Sequence, residues 1–117
     1  MAQQQVDTRL RRQLEELASS MCKALNDPKR LALLYALKDG PRTVSELSEL
    51  LDSPQSNTSQ HLAILRDRGL VAAERQGNSV CYSLRYPKVL KAVDLLREIM
   101  SDETERQQEL HALAPSA

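Results

Sequence analysis

Residues Gln55 to Gln60 read Gln-Ser-Asn-Thr-Ser-Gln, a run of short, uncharged, hydrogen-bonding side chains. Ser and Asn are mediocre helix formers, so helix propensity alone does not select them. Written on a helix, Ser56, Gln60 and Ala63 fall at i, i+4 and i+7 on one side, with Ser59 on the flank. Thr58, His61, Leu62 and Leu65 take the other side and can pack against a body. A solvated helix face usually carries Lys and Glu, whereas this one offers amides and hydroxyls. Those groups are slim enough for a helix to approach base edges in a major groove, where Gln bonds adenine bidentately and Ser bonds several bases. The bland alternative is an N-terminal turn rich in capping side chains.

The elements that must position this ridge are legible around it. Thr43 and Glu46 form a T-x-x-E capping box, and Val44, Leu47 and Leu50/Leu51 follow at helical spacing. Asp52-Ser53-Pro54 stops that helix and starts the next, with Ser53 expected as N-cap and Pro54 at the first helical position. Gly69 suits the residue just past the second helix. The stretch 44–70 is a helix-turn-helix by pattern. Upstream, Leu10, Leu14, Leu17, Met21 and Leu25 mark an amphipathic helix with a narrow stripe close to a coiled-coil seam. Asn26-Asp27-Pro28 breaks it, and Pro28 opens a helix that is apolar on more than one side and ends at Asp39-Gly40.

After Gly69 the period changes. LVAAER and SVCYSL are two short strands flanking Gln76-Gly77-Asn78, a hairpin turn that forms a wing behind the second helix. Val80, Tyr82 and Leu84 alternate with Cys81 and Ser83, which predicts that the first three face the body. Pro87 starts a last helix with a stripe at Val89, Ala92/Val93, Leu96 and Ile99/Met100. Spare apolar stripes on both terminal helices point to a dimer interface built from them, since a pseudopalindromic site needs two reading helices about one DNA turn apart.

The chain has 117 residues, with three tyrosines and no Phe or Trp, so its core must be aliphatic and one domain is expected. We expect a single unit over residues 8–110, a disordered segment 1–7 and a flexible segment 111–117. Sixteen basic and sixteen acidic residues cancel, so there is no global basic signal, and any nucleic-acid affinity must come from distribution. Lys29, Arg30, Arg66, Arg68 and Arg75 surround the helix-turn-helix, while Glu15, Glu16, Asp102, Glu103, Glu105 and Glu109 sit toward the ends. Of the cations, Arg75 near the wing tip, Arg66, Lys29 and Arg30 are the candidates for phosphate contacts. No apolar run approaches the ~18 residues of a membrane span, and MAQQQVDTRLRR lacks a signal-peptide core. A cytoplasmic protein is expected.

Together, ALNDPKRLALLYAL, SPQSNTSQHLAILRDRGLV and RQGNSVCYSL resemble the ArsR/SmtB family of bacterial winged-helix repressors, in the family's order and over about residues 10–100. The resemblance implies a homodimer that binds operator DNA and weakens when an inducer is sensed. By motif position, Gln55, Ser56, Ser59 and Gln60 match the residues such proteins use on DNA, and His61-Leu62 matches an H-L pair that packs or orients the helix. The chain also departs from the family. Where metal sensors often carry Cys-x-Cys, it reads Val44-Ser45-Glu46-Leu47-Ser48. Where others use Asp-x-His on the last helix, Asp94 is followed by Leu95-Leu96, and the nearest histidine is His111. Neither metal site carries over, and no cofactor is implied.

Cys22 and Cys81 remain. Each is either a small buried apolar side chain or a sensing thiol, for oxidants or a thiophilic metalloid, with Lys23 beside Cys22 as an acidifying charge. No Gly-rich phosphate loop, paired carboxylates or nucleophile-base pair supports an enzyme. The sequence thus reads as a mainly α winged helix-turn-helix with a small β-hairpin. It is expected to be a homodimeric DNA-binding repressor; the alternatives are a repressor without a sensing site and a protein-interaction module.

Overall fold

The computed structural model of the chain describes residues 7–113, which fall into two compact units, one ending at Tyr86 and the other beginning at Pro87. The expected disorder of segment 1–7 lies outside the described residues except at Asp7, and that of 111–117 except at His111, Ala112 and Leu113. Asp7 is the N-cap of α1 (Thr8–Glu16), its carboxylate accepting from the Leu10 amide at 2.8 Å. His111 to Leu113 are helical.

The first helical stretch is not one regular α-helix. A π-turn over Leu17–Met21 separates α1 from α2 (Cys22–Leu25). Asp27 then caps α3 (Pro28–Ala36), with Pro28 at its first position, where the missing N–H costs nothing. Leu33 and Leu34 of α3 are fully buried, as the apolar run predicts. The short strand β1 (Arg42–Thr43), which the sequence pattern does not announce, leads directly into α4 (Val44–Leu51). Its two residues do double duty. Arg42 Nε donates to the Ala36 carbonyl at 2.9 Å and closes the end of α3, while Thr43 and Glu46 complete the capping box that opens α4.

Both helices of the helix-turn-helix are closed at their C-termini by the same backbone device. After α4, Asp52 takes a left-handed conformation (φ 50°), and the amides of Asp52 and Ser53 donate back to the Glu49 and Ser48 carbonyls. After α5 (Gln55–Asp67), Gly69 (φ 79°) does so, with the Gly69 and Leu70 amides on the Arg66 and Leu65 carbonyls at 2.9 Å each. The start of α5 differs from expectation. Pro54 is the N-cap, and Ser53 lies one residue outside, its hydroxyl donating to Asn57 Oδ1 at 3.0 Å. The left-handed Asp52 turns the chain so that the Ser53 side chain reaches Asn57 rather than a first-turn amide.

Strands β2 (Val71–Gln76) and β3 (Ser79–Leu84) form the hairpin, and β1 pairs on the other edge of β3, giving the antiparallel order β1-β3-β2. Gln76 faces Ser79 across the two-residue loop Gly77-Asn78. Gly77 alone of that pair has positive φ (63°), the signature of a type II′ turn. Burial along β3 does not alternate: Val80 through Leu84 are all half-buried, because the strand is central while β2 beyond Val71 stands in solvent.

The core of this unit is aliphatic: Leu33, Leu34, Leu37, Leu47, Leu62, Leu65, Leu70 and Val71 are at most 2% exposed. In the second unit α6 (Lys88–Leu113) buries Val89, Leu90 and Val93. Among the described residues no helix is long and apolar enough to cross a membrane. Ser48 is buried, and its Oγ has no hydrogen-bond partner among the described residues. Ser48→Ala removes that hydroxyl and favours the helix, so it should raise the unfolding free energy by about 1 kcal/mol in urea titration. Leu62→Ala, emptying a fully buried site, should lower it by about 2–5 kcal/mol.

Candidate nucleic-acid interface

Helix α5 has two unlike faces. Thr58, Leu62 and Leu65 are buried, at 1%, 0% and 0% exposure. The Thr58 hydroxyl tolerates this because it donates to the Pro54 carbonyl at 3.2 Å. Gln55, Ser56, Ser59 and Gln60 are exposed, and none of the four side chains has a hydrogen-bond partner among the described residues. Arg66, exposed, lies two turns beyond Ser59 on the same side of the helix. A row of unspent amide and hydroxyl groups with a cation at its end is therefore presented to solvent by a rigidly packed helix.

The other predicted cations divide. Arg75 is exposed on β2, opposite Val80 and one residue pair from the wing loop. Lys29 is exposed, with Nζ 3.0 Å from Asn57 Oδ1 and 3.3 Å from Ser53 Oγ at the start of α5. Arg30, expected to reach phosphate, is turned inward instead. Its Nε donates to the Ala24 carbonyl at 2.6 Å, its Nη2 to that of Lys23 at 3.2 Å, and its Nη1 lies 3.2 Å from His61 Nδ1. The carbonyls that end a helix lack the full set of helical partners; the Lys23 carbonyl also accepts from the Asn26 amide at 3.2 Å, and the guanidinium fork supplies donors to it and to the Ala24 carbonyl. Arg68, exposed, lies 3.5 Å from Ser20 Oγ.

Sequence reasoning takes Asn26-Asp27-Pro28 as a break with Pro28 opening the next helix and misses this network. The available signal is an Asp followed by Pro, the pattern of an N-cap with proline at the first helical position. Asp27 Oδ1 accepts from the Lys29 and Arg30 amides at 2.8 and 3.3 Å and lies 4.0 Å from His61 Nε2. Partial desolvation pushes the Asp27 carboxyl up, but those two amides and the charges of His61 and Arg30 outweigh it and hold it below the usual Asp value. Glu46 is lowered chiefly by the Thr43 amide and hydroxyl of the capping box.

The two cysteines are free. Cys22 opens α2 and is exposed on the single subunit. Cys81 is half-buried in β3, between Thr43 and Glu74 on the neighbouring strands, with its thiol 3.5 Å from Gln76 Oε1. Among the described residues no cluster of three or more His, Cys, Asp or Glu side chains could hold a metal ion.

Against this geometry stand the relatives. A family model described as bacterial regulatory protein, arsR family, matches residues 27–73, which span α3 through the start of the wing. The HTH-type transcriptional regulator NmtR of Mycobacterium tuberculosis is 40% identical over 76 residues, a match covering 65% of this chain and 63% of NmtR's own length. The HTH-type transcriptional regulator YgaV of Escherichia coli is 35% identical over 85 residues, covering 72% of this chain and 86% of that protein. A solved structure from Mycobacterium bovis, the homodimeric winged helix-turn-helix DNA-binding domain of Mb0332, superposes with a TM-score of 0.72 at 26% identity, covering 86% and 92% of the two chains.

The Asp27 cap carries a pH signature. A carboxyl held below its unfolded value contributes stability that is complete above about pH 4 and lost as pH falls through the folded value. Asp27→Asn keeps a capping oxygen but cannot titrate. Between about pH 7 and pH 3 it should lose less unfolding free energy than the unaltered protein, as measured by urea titration at each pH.

Proposed function

This chain belongs to the ArsR/SmtB family of winged helix-turn-helix transcriptional regulators, and we propose that it acts as a homodimeric repressor that reads operator DNA with the exposed ridge of α5. The observation that carries this is the division of α5: Gln55, Ser56, Ser59 and Gln60 exposed and unspent, Thr58, Leu62 and Leu65 buried behind them. In this reading the ridge contacts bases and so specifies sequence. Arg66, Arg75 and Lys29 contact phosphates and so position the protein. Arg30 is not among them, because its guanidinium is occupied within the fold.

Pairing of two copies is supported by apolar side chains left bare on both terminal helices. Leu10, Leu14 and Leu17 are 43–47% exposed, and Leu95, Leu96, Ile99 and Met100 are 58–68% exposed. An isologous interface built from these elements gives two α5 ridges, as a two-fold operator requires. Such a role on chromosomal DNA places the protein in the cytoplasm.

Modulation by an inducer is assigned to Cys22 and Cys81, with the exposure of Cys22 as its support. Replacing both by Ser should abolish release of bound DNA by oxidant, arsenite or persulfide, followed by gel shift. A double variant that responds like the unaltered protein removes the thiols from the switch and leaves a constitutive repressor.

A second reading is favoured by one observation: zero net charge, with Asp102, Glu103, Glu105 and Glu109 exposed along α6. Under it the fold is a docking module for another protein. DNA reading requires affinity to fall steeply with salt as counterions return, and Gln60→Ala to relax preference at one base position at a cost of about 1–3 kcal/mol. Arg75→Ala should instead weaken all duplexes alike and lower the salt slope by about 1. Binding to duplex that is indifferent to salt would favour the docking module.

A further inference from the structure

We propose that His61 is a proton-sensitive tether that holds the recognition helix α5 at its working angle through Arg30, so that acidification weakens sequence-specific DNA binding. The proposal rests on α5 reading DNA and adds a positioning residue and a regulatory input to that reading. Two consecutive residues of α3 hold α5 at points one turn apart. Lys29 Nζ donates to Asn57 Oδ1 at 3.0 Å, and Arg30 Nη1 lies 3.2 Å from His61 Nδ1. Asn57 and His61 stand at i and i+4, on one flank of α5 between its buried face and its exposed ridge. These contacts therefore set the fine rotation of α5 about its axis, within the limits that the buried Leu62 and Leu65 impose.

The Arg30 end of the tether does not follow a moving ring. Its Nε and Nη2 are held by the Ala24 and Lys23 carbonyls at 2.6 and 3.2 Å. A guanidinium has donors and no acceptor, so the contact with Arg30 makes His61 Nδ1 the acceptor. That requires the neutral imidazole with its proton on Nε2, the nitrogen 4.0 Å from Asp27 Oδ1. Adding a proton to Nδ1 sets N–H against N–H and one positive charge 3.2 Å from another. The charged groups facing the ring are Arg30, which repels the imidazolium, and Asp27, which attracts it. Asp27 is fixed by the Lys29 and Arg30 amides, so the protonated ring leaves Arg30 and turns toward the carboxylate. The His61 side chain is 15% exposed, and this turn displaces the helix that carries it. Histidine is the side chain whose charge changes within the range of cellular pH.

The test uses the full chain with two duplexes, one selected from a random pool by the unaltered protein at about pH 7.5 and a scrambled one of the same composition. The ratio of affinities for the two is measured at about pH 7.5 and about pH 5.5 at fixed ionic strength. For the unaltered protein the ratio should fall about tenfold on acidification. For His61→Gln, whose amide oxygen accepts from Arg30 but does not titrate, it should stay within about twofold. His111→Gln, which alters the chain's other histidine, should fall like the unaltered protein. A His61→Gln ratio that falls as steeply overturns the proposal. Amide hydrogen exchange along α5 in the DNA-free protein, corrected for the intrinsic pH effect, tests the tether even if no duplex is selected, which would itself refute DNA reading. Exchange should quicken at the lower pH in the unaltered protein and not in His61→Gln; equal behaviour overturns the tether.

Discussion

Leu62 and Leu65 lie at zero exposure on the face of α5 turned away from Ser56 and Gln60. Rotating the helix to hide its polar ridge would bring both leucines into water, at a cost of about 1.5–3 kcal/mol for each side chain. This opposition, rather than any property of the polar residues, keeps four unspent amides and hydroxyls at the surface. Thr58 extends the buried face by a turn without penalty because its hydroxyl is satisfied by the Pro54 carbonyl. The ridge is therefore set by the aliphatic core behind it, and a core without Phe or Trp suffices because its leucines interdigitate at full burial.

The ends of α5 are fixed by different means. At the C-terminal end the left-handed Gly69 returns two amides to the last turn and delivers Leu70 and Val71 into the core, so the wing begins from a buried anchor. At the N-terminal end there is no side-chain cap, and Lys29 reaches over from α3 to Asn57 and Ser53. Strand β1 links this arrangement to the sheet. Its Thr43 pairs with Cys81 of β3 while capping α4, so the wing and the helix-turn-helix share one residue. Cys81 thus sits where a change in the sheet would reach the cap of the first helix of the motif.

Features decided by neighbours in sequence were legible in it. The capping box at Thr43, the stop at Gly69 and the hairpin at Gly77 each depend on a few adjacent residues and on backbone sterics. So does the division of α5 into core and ridge, which follows from the 3.6-residue period. What escaped was decided by distant partners. Arg30 has the composition of a surface cation, but its donors are taken by carbonyls of the preceding helix and by His61, thirty-one positions away. Ser53 has the composition of an N-cap, yet the left-handed Asp52 carries it one residue out. Strand β1 is two residues long and exists only because β3 offers it an edge. The even half-burial of β3 has the same cause, since a central strand is covered by partners that its own alternation does not record.

The π-turn at Leu17–Met21 has a consequence for how this protein tolerates change in length. One residue more than an α-turn needs is accommodated there, so losing a single residue from 17–21 would cost little locally and restore a regular helix. Each residue of an α-helix advances the phase by about 100°, and the wider π-turn takes up that advance, so Leu10 and Leu14 would keep nearly their present direction after the deletion. A deletion between Leu14 and Leu17 has no such slack and would swing Leu10 and Leu14 about a third of the way round the axis. The subunit would keep its core in either case, since α1 buries none of its own residues. Single-residue length variation at 17–21 is thus compatible with an unchanged edge in the proposed pairing, whereas the same variation just before it is a route by which close relatives could fold alike yet refuse to pair with one another.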